Sequence, residues 1–131
     1  MPRILVVDDE AGLRDCLRYM LSGEGFAVET ATWGGEGLAI AATLRMDVVL
    51  LDMVLPGVDG MTVLRKLKLS LPDLPVVLMS GWPSPEARQE VLAQGGFDLI
   101  AKPFDAEEVL DRKSTRLNSS HIQKSRMPSS A

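Results

Sequence analysis

Short apolar runs recur along the chain, and each of them ends at polar residues. Four of these runs cover residues 4–7, 48–51, 75–79 and 98–101. Runs of this length, with few polar interruptions, are typical of strands buried on both faces of a parallel sheet. A weaker strand is predicted over residues 27–31, so the pattern predicts five strands in all.

Stretches with a helical period separate these strands. They predict helices over residues 11–21, 36–44, 61–69 and 85–94. Ser84 is expected to cap the fourth helix, with Pro85 at its first position and Gly95 at its end. Residues 105–108 resemble a capping box and predict a fifth helix, which we expect to be truncated near Leu110. Alternating strands and helices predict an α/β fold with a parallel sheet and right-handed crossovers.

Polar residues stand at the ends of four predicted strands. Asp8 and Asp9 follow the first strand, Asp52 the third, Ser80 the fourth and Lys102 the fifth. In an open parallel sheet, ligands bind at the carboxyl ends of the strands. Taken singly, each residue is an ordinary turn or surface residue. Together, at separate strand ends, they predict a site for a divalent cation and a phosphoryl group.

The residue types at this edge suit phosphoryl chemistry. Mg²⁺ prefers oxygen ligands, which Asp9 and Asp52 can supply, with Asp8 acting directly or through water. Three carboxylates repel one another unless a positive charge intervenes, and Lys102 supplies one. Asp52 is the best candidate for a nucleophile that forms an aspartyl-phosphate, because it follows the most apolar strand and begins a loop containing glycine and proline. The Ser80 hydroxyl can donate a hydrogen bond to a phosphoryl oxygen.

Length and cysteine content limit the class of protein. A chain of 131 residues is long enough for one domain with its own core. It has no apolar run of membrane-spanning length and no signal-peptide pattern. The single cysteine, Cys16, excludes an internal disulfide and fits a reducing cytoplasm. We expect Cys16 to be a small core residue, because it falls on the apolar stripe of the first helix, formed by Leu13, Leu17, Met20 and Leu21.

Residues 111–131 differ in character from the rest of the chain. They are polar, rich in serine and without apolar periodicity, and they contain the only histidine, His121. Residues 111–121 resemble, residue for residue, a translated sequencing-library adapter, and residues 125–131 fit its continuation, so we expect a non-native tail. Five basic residues and one acid give this tail a net charge of +4, which leaves −8 on residues 1–110. A domain this acidic is not expected to bind DNA directly.

Four segments together carry a resemblance to a known family. They are residues 4–10 (ILVVDDE), 50–60 (LLDMVLPGVDG), 77–81 (VLMSG) and 101–104 (AKPF). With these segments in this order and spacing, residues 3–110 resemble the receiver domain of a bacterial two-component response regulator. The resemblance implies a flavodoxin-like (βα)5 fold with a five-stranded sheet of order 2-1-3-4-5. Residues 1–110 would then form one receiver domain, incomplete at its final helix.

The resemblance also implies a metal and phosphoryl site. Asp52 would be the phosphoacceptor, receiving its phosphoryl group from the histidine of a sensor kinase or from a phosphotransfer protein. Mg²⁺ would be the cofactor, held in an acidic pocket by Asp8, Asp9 and Asp52. The backbone carbonyl of Val54 would complete the metal ligands from the protein.

Further roles concern how the phosphoryl group is sensed. By resemblance, Ser80 and Lys102 would contact that group, and the Lys102–Pro103 bond is expected to be cis. Many receivers carry an aromatic switch residue three positions before the lysine, whereas this chain has Leu99 there. We therefore expect weaker or differently connected coupling between Ser80 and the output face, the surface through which a receiver passes on its signal.

Two apolar residues are placed where side chains can control the approach of water. Val54 and Trp82 lie two residues after Asp52 and Ser80, respectively. Because hydrolysis requires a positioned water near the phosphoryl group, we expect slow self-dephosphorylation. A role for Trp82 in capping the rim of the site, or in contacting a partner, is an equally good interpretation.

These features favour a phosphorylation-dependent signalling switch rather than a turnover enzyme, although the domain would assist its own phosphorylation. The alternative is a phosphorylation-independent interaction module with the same fold, which Leu99 leaves open. A phosphohydrolase is disfavoured, because such enzymes usually have a second acid two residues after the nucleophile and this chain has Val54. Where the natural protein has an output domain, we expect that domain to follow Leu110.

Overall fold

Five strands alternate with four helices in this computed structural model, which describes residues 1–102. The strands are β1 (Arg3–Val7), β2 (Ala27–Ala31), β3 (Val48–Asp52), β4 (Val76–Ser80) and β5 (Asp98–Ala101). The helices are α1 (Ala11–Gly23), α2 (Gly34–Thr43), α3 (Gly60–Ser70) and α4 (Pro85–Ala93). Every element predicted within this range is present, with helix ends shifted by no more than two residues.

The strands form one parallel sheet in the order β2-β1-β3-β4-β5, which confirms the predicted topology. Val7 pairs with Leu51 across β1 and β3, and Asp52 pairs with Met79 across β3 and β4. Ser80 at the end of β4 pairs with Ala101 on β5. The carboxyl ends of these strands therefore lie side by side along one edge of the sheet.

Two cores cover the two faces of the sheet, because successive side chains of a strand point to opposite sides. Leu5 and Val7 of β1 belong to the core that contains buried residues of α2, α3 and α4. Ile4 and Val6 belong to the other core, which α1 covers with its buried leucines, Leu17 and Leu21. Both faces of β1 and β3 are thus buried, as the uninterrupted apolar runs predicted.

Side chains cap two of the helices at their N-termini. The Ser84 hydroxyl accepts a hydrogen bond of 3.0 Å from the Ala87 N–H, with Pro85 at the first position of α4, which confirms the predicted start of that helix. The Asp59 carboxylate accepts a hydrogen bond of 2.9 Å from the Thr62 N–H at the start of α3. This hydrogen bond lowers the pKa of Asp59 below its usual value.

The prediction that Cys16 is a core residue is wrong, since its side chain is exposed. The centre of the buried stripe of α1 is marked by Leu17 and Leu21. At about 100° per residue, Cys16 lies a quarter-turn or so from Leu17, beyond the half-buried Leu13 and Met20. The stripe that contacts the sheet is therefore narrower than the sequence suggested.

Some expectations concern residues outside the described range. The fifth helix, its truncation near Leu110, and the Lys102–Pro103 peptide bond all involve residues after 102. Among residues 1–102, no helix is both long enough and apolar enough to cross a membrane.

Truncating a buried residue of α1 is expected to destabilise the protein. Leu17→Ala removes a fully buried side chain and leaves a cavity against the sheet, so we expect the free energy of unfolding to fall by about 2–5 kcal/mol. Urea denaturation followed by circular dichroism measures this change. Tyr19→Ala is the matched control, because Tyr19 lies on the same helix and is 83% exposed. Equal effects of the two substitutions would contradict the assignment of the buried face.

Candidate functional site

The ammonium group of Lys102 lies between two buried carboxylates at the carboxyl edge of the sheet. Its Nζ is 3.1 Å from Asp8 Oδ2 and 3.1 Å from Asp52 Oδ2. Asp8 is inaccessible to solvent and Asp52 is 5% exposed. Charge-assisted hydrogen bonds of this kind offset part of the cost of burying the two carboxylates. The residues predicted at the ends of β1, β3 and β5 therefore come together.

The backbone holds the other oxygen of each buried carboxylate. Asp8 Oδ1 accepts a hydrogen bond of 2.9 Å from the Glu10 N–H, and Asp52 Oδ1 accepts one of 3.1 Å from the Val54 N–H. Each carboxylate is thus oriented by one backbone donor and one ammonium. The Val54 N–H has a defined role in this arrangement, whereas a metal-binding role for its carbonyl stays a prediction.

Three carboxylates approach one another closely enough to share a cation. One oxygen each from Asp8, Asp9 and Asp52 can be chosen so that all three lie within 4.8 Å of one another. Asp9 is exposed while the other two are buried, so the group opens toward solvent on one side. A set of carboxylate oxygens with solvent access suits Mg²⁺, which binds one or two carboxylates and keeps several waters. The donor set therefore fits the implied cofactor.

A tight loop after β3 fixes the position of Asp52. The Gly60 N–H donates a hydrogen bond of 2.9 Å to the Met53 carbonyl, which closes residues 53–60 on themselves. A Cβ atom on Gly60 would collide with the backbone of Asp52 and Met53. Within the same loop, Gly57 has φ +81°, a conformation that favours glycine. The glycines of this loop thus allow the start of α3 to pack directly against the end of β3.

Ser80 lies at the end of β4, beside the strand that carries Asp52. Its Oγ accepts a hydrogen bond of 3.1 Å from the Trp82 N–H, and its backbone carbonyl accepts one of 2.8 Å from the Lys102 N–H. The hydroxyl keeps its own hydrogen for donation. The structure therefore joins Ser80 to Lys102 through the backbone, and contact of either side chain with a phosphoryl group stays a prediction.

Burial and neighbouring charges shift the pKa values of Asp52 and Lys102. Burial raises the pKa of Asp52 above the ordinary value of 3.8; the charge of Asp8 also raises it, while the Val54 N–H and the Lys102 ammonium lower it. Burial by itself would lower the pKa of Lys102, but hydrogen bonds and charge from Asp8 and Asp52 outweigh it. The pKa of Lys102 is therefore raised above 10.5. Burial therefore disfavours the charged form of Asp52, whereas the two carboxylates favour the charged form of Lys102.

The three residues predicted to control switching and hydrolysis lie in different surroundings. Leu99 is fully buried in the core beneath α4, whereas Trp82 is 92% exposed and Val54 is 77% exposed. The carbonyl of Leu99 accepts a hydrogen bond of 3.1 Å from Arg88, whose guanidinium also pairs with Asp98. Residue 99 is thus already packed inward, whereas the side chains of Val54 and Trp82 are exposed to solvent.

Two residues near the site were not predicted. Glu10 Oε1 is 3.8 Å from Lys102 Nζ, and the Arg14 guanidinium donates a hydrogen bond of 2.7 Å to the Asp8 carbonyl. Glu10 directly follows the acidic pair, which is the only signal that the sequence offers for it. Arg14 lies in the first turn of α1, where its role depends on the direction of a long side chain that no sequence pattern specifies.

Comparison with known proteins now identifies the family. The family model described as "Response regulator receiver domain" matches residues 4–113. The chain belongs to this family. Response regulator MprA from Mycolicibacterium vanbaalenii is 42% identical over 110 residues, which cover 84% of this chain and 48% of that protein. The chain thus spans about half the length of the curated relatives it matches.

Solved structures show the same receiver fold. A CheY-like receiver domain protein from Methanospirillum hungatei JF-1 aligns with a TM-score of 0.85 and 30% identity, covering 95% of this chain and 98% of that chain. NtrX from Brucella abortus aligns with a TM-score of 0.83 and 34% identity, covering 95% of this chain but only 29% of that one. Receiver domains are signalling domains of two-component systems rather than typical enzymes, and this chain is one of them.

The raised pKa of Asp52 in this receiver domain predicts that its charge costs stability. Because the folded state binds the Asp52 proton more tightly than the unfolded state does, the carboxylate destabilises the fold above its folded-state pKa. In Mg²⁺-free buffer at neutral pH, Asp52→Asn is therefore expected to raise the free energy of unfolding. The difference in the free energy of unfolding between Asp52→Asn and the wild type should decrease as the pH falls toward 3.8, because Asp52 of the wild type becomes protonated.

Urea denaturation across this pH range measures the effect. Asp73→Asn is the control, because Asp73 is an exposed acid that lies outside the site. A lower stability of Asp52→Asn at neutral pH would contradict the prediction, as would an equal gain in the control.

Proposed function

We propose that this receiver domain is a phosphorylation-dependent switch that accepts a phosphoryl group on Asp52 in the presence of Mg²⁺. The observation that carries the proposal is the position of the Asp52 carboxylate, 3.1 Å from the Lys102 ammonium and within the group of three carboxylates. The proposed donor is the phosphohistidine of a sensor kinase or of a phosphotransfer protein. Asp8, Asp9 and Asp52 would hold the metal together with the Val54 carbonyl.

In the proposed reaction, an oxygen of the Asp52 carboxylate attacks phosphorus. An O–P bond forms as the N–P bond to the donor's histidine breaks, and the imidazole leaves with the electron pair. Mg²⁺, when bound, supplies positive charge to the phosphoryl oxygens. Lys102 supplies a second positive charge, and the Ser80 hydroxyl donates a hydrogen bond. The Val54 N–H keeps the attacking carboxylate oriented throughout.

A phosphorylation-independent interaction module is the second candidate. The buried Leu99 favours it, because a leucine that is already packed inward has no exposed position from which to swing. The complete set of acids, hydroxyl and ammonium favours the switch. A phosphohydrolase has less support, because residue 54 is valine and no acid stands two positions after Asp52.

The whole protein is proposed to be longer than this chain. Since the chain covers 48% of the MprA protein, an output domain following the receiver is the simplest proposal for the other half. We take residues 1–110 as the receiver domain and residues 111–131 as a non-native tail. A cytoplasmic location and a sensor kinase partner follow from the proposed role in a two-component system.

Phosphorylation is expected to depend on Asp52 and on Mg²⁺. After incubation with acetyl phosphate and Mg²⁺, intact-mass spectrometry should show one added phosphoryl group. Asp52→Asn should show none, because an amide cannot act as the nucleophile. Chelation of Mg²⁺ by EDTA should remove the adduct from the wild type.

The control for this experiment is Asp59→Asn, which changes an exposed aspartate of the same loop that caps α3 instead of facing Lys102. This variant should still be phosphorylated. An adduct that persists in Asp52→Asn would place the phosphoacceptor elsewhere. The absence of any adduct in folded wild-type protein would favour the phosphorylation-independent module.

The lifetime of the phosphoryl group is expected to depend on Trp82. Trp82→Ala removes a bulky, exposed apolar side chain two residues after Ser80 and should give water a wider approach, shortening the lifetime several-fold. The decay of the phosphorylated mass after removal of the donor measures this lifetime. Trp33→Ala is the matched control, because Trp33 is an exposed tryptophan at the start of α2. An unchanged lifetime in Trp82→Ala would show that Trp82 does not restrict hydrolysis.

A further inference from the structure

A shallow apolar groove runs between α2 and α3 on the sheet face opposite α1. It encloses about 570 Å³ and is lined mainly by aliphatic side chains of both helices. Six of its lining residues define what we call the α2–α3 groove: Leu38, Ala41, Ala42, Lys66, Leu69 and Leu71. On α2 these residues have the spacing i, i+3 and i+4, so they share one face of the helix.

The groove presents apolar surface to solvent. Leu69 is 84% exposed and Leu71 is 37% exposed, although both line the groove. Leu44, which is also 37% exposed, lines an adjoining cavity of about 610 Å³ formed by residues 41–47 and 70–75. Scattered single apolar residues are normal on a protein surface, whereas a contiguous patch marks an interaction site. These leucines border one continuous depression, because the two cavities share Ala41 and Ala42.

The charge at the groove is opposite to that of the domain. Residues 1–110 carry a net charge of −8, yet the only charged residue that lines the groove among the described residues is Lys66. Arg65 stands next to it and is also exposed, and α3 contains no acid. The adjoining cavity is lined by two acids, Asp47 and Asp73, and by one base, Arg45. The α2–α3 groove is therefore complementary to a ligand that has an apolar face and negatively charged groups beside it.

The position of the groove leaves it accessible while the phosphorylation site is in use. Residues 42–47 and 70–75 precede β3 and β4, so the groove extends toward the amino edge of the sheet. Asp52 lies at the opposite, carboxyl edge. A protein that contacts Asp52 and a ligand in the groove can therefore bind at the same time.

We propose that the α2–α3 groove binds an amphipathic helix of a partner protein, with apolar side chains seated between α2 and α3 and acidic side chains facing Lys66 and Arg65. Helices commonly bind in apolar grooves through side chains at positions i, i+3 or i+4, and i+7. The proposal is independent of phosphorylation at Asp52.

Two other occupants fit the charges less well. In a symmetric dimer the same patch meets its own copy, and a patch whose charged residues are Lys66 and the neighbouring Arg65 brings only positive charge to the interface. Residues 111–131 carry a net charge of +4 and would be repelled by the same two residues. An acidic helix of another protein meets neither obstacle.

A pair of synthetic peptides tests the proposal. Each is about 18 residues long, so that a helix can form, with leucines at positions i, i+3 and i+7 along one face. One peptide has glutamates on the flanking positions, and the other has lysines there. Fluorescence anisotropy of the labelled peptides against the full chain measures binding. The wild type should bind the glutamate peptide at least about tenfold more tightly than the lysine peptide.

Variants of exposed groove residues separate binding from folding. Leu69→Ser should weaken binding of the glutamate peptide about five- to tenfold, and Lys66→Glu should weaken it while strengthening binding of the lysine peptide. Tyr19→Ser on the opposite face, at a residue that is 83% exposed, should change neither affinity. Thermal melts monitored by circular dichroism verify that each variant is folded.

Three results would overturn the proposal. The first is equal affinity for the two peptides, and the second is binding that neither Leu69→Ser nor Lys66→Glu changes. The third is a wild-type dimer in sedimentation velocity that Leu69→Ser dissociates, since this would assign the groove to a second copy of the chain. A charge-reversed preference in Lys66→Glu, with a monomeric wild type, supports the partner helix.

Discussion

The geometry of the site depends on the ammonium of Lys102. Two carboxylates buried side by side repel each other strongly in a medium of low dielectric constant, and Asp8 and Asp52 are both buried. Lys102 contacts both of them from the end of β5, and the order of the sheet means that its side chain reaches over β4 to do so. One positive charge therefore connects three strands that are not all neighbours. This charge reduces the repulsion between the Asp8 and Asp52 carboxylates and so allows both to be buried in the folded protein.

The sequence was informative about the fold because burial and topology leave few choices. Strands buried on both faces must be apolar along their whole length, and parallel strands must place their carboxyl ends together. For that reason Asp52 and Lys102, fifty residues apart, could be predicted to meet. Cys16 could not be placed in the same way, because the width of a buried helical stripe depends on how the helix lies on the sheet. The contacts of Glu10 and Arg14 depend on side-chain directions, which periodicity does not determine.

In the proposed switch, the packing of Leu99 would limit how a signal leaves the site. Its side chain is fully buried, and its carbonyl accepts a hydrogen bond from Arg88 of α4, which also pairs with Asp98. The side chain of Leu99 is therefore held by packing in the core, and its carbonyl is held by the guanidinium of Arg88. Ser80 is joined to this region by the backbone hydrogen bond from Lys102 and by the pairing of β4 with β5. Movement of a strand and its helix suits this arrangement better than rotation of one side chain.

In the proposed switch, the balance of charge would concentrate the response to a phosphoryl group at β4 and β5. Asp8, Asp9 and Asp52 with Lys102 sum to −2 when all are ionised, which one divalent cation balances. An aspartyl-phosphate carries about −1.5 to −2 where the carboxylate carried −1, so it introduces negative charge that this balance does not include. Asp8 and Asp52 are already oriented by backbone N–H groups. The groups left to answer the new charge are the Lys102 ammonium and the Ser80 hydroxyl, and both stand at the ends of the two strands next to α4.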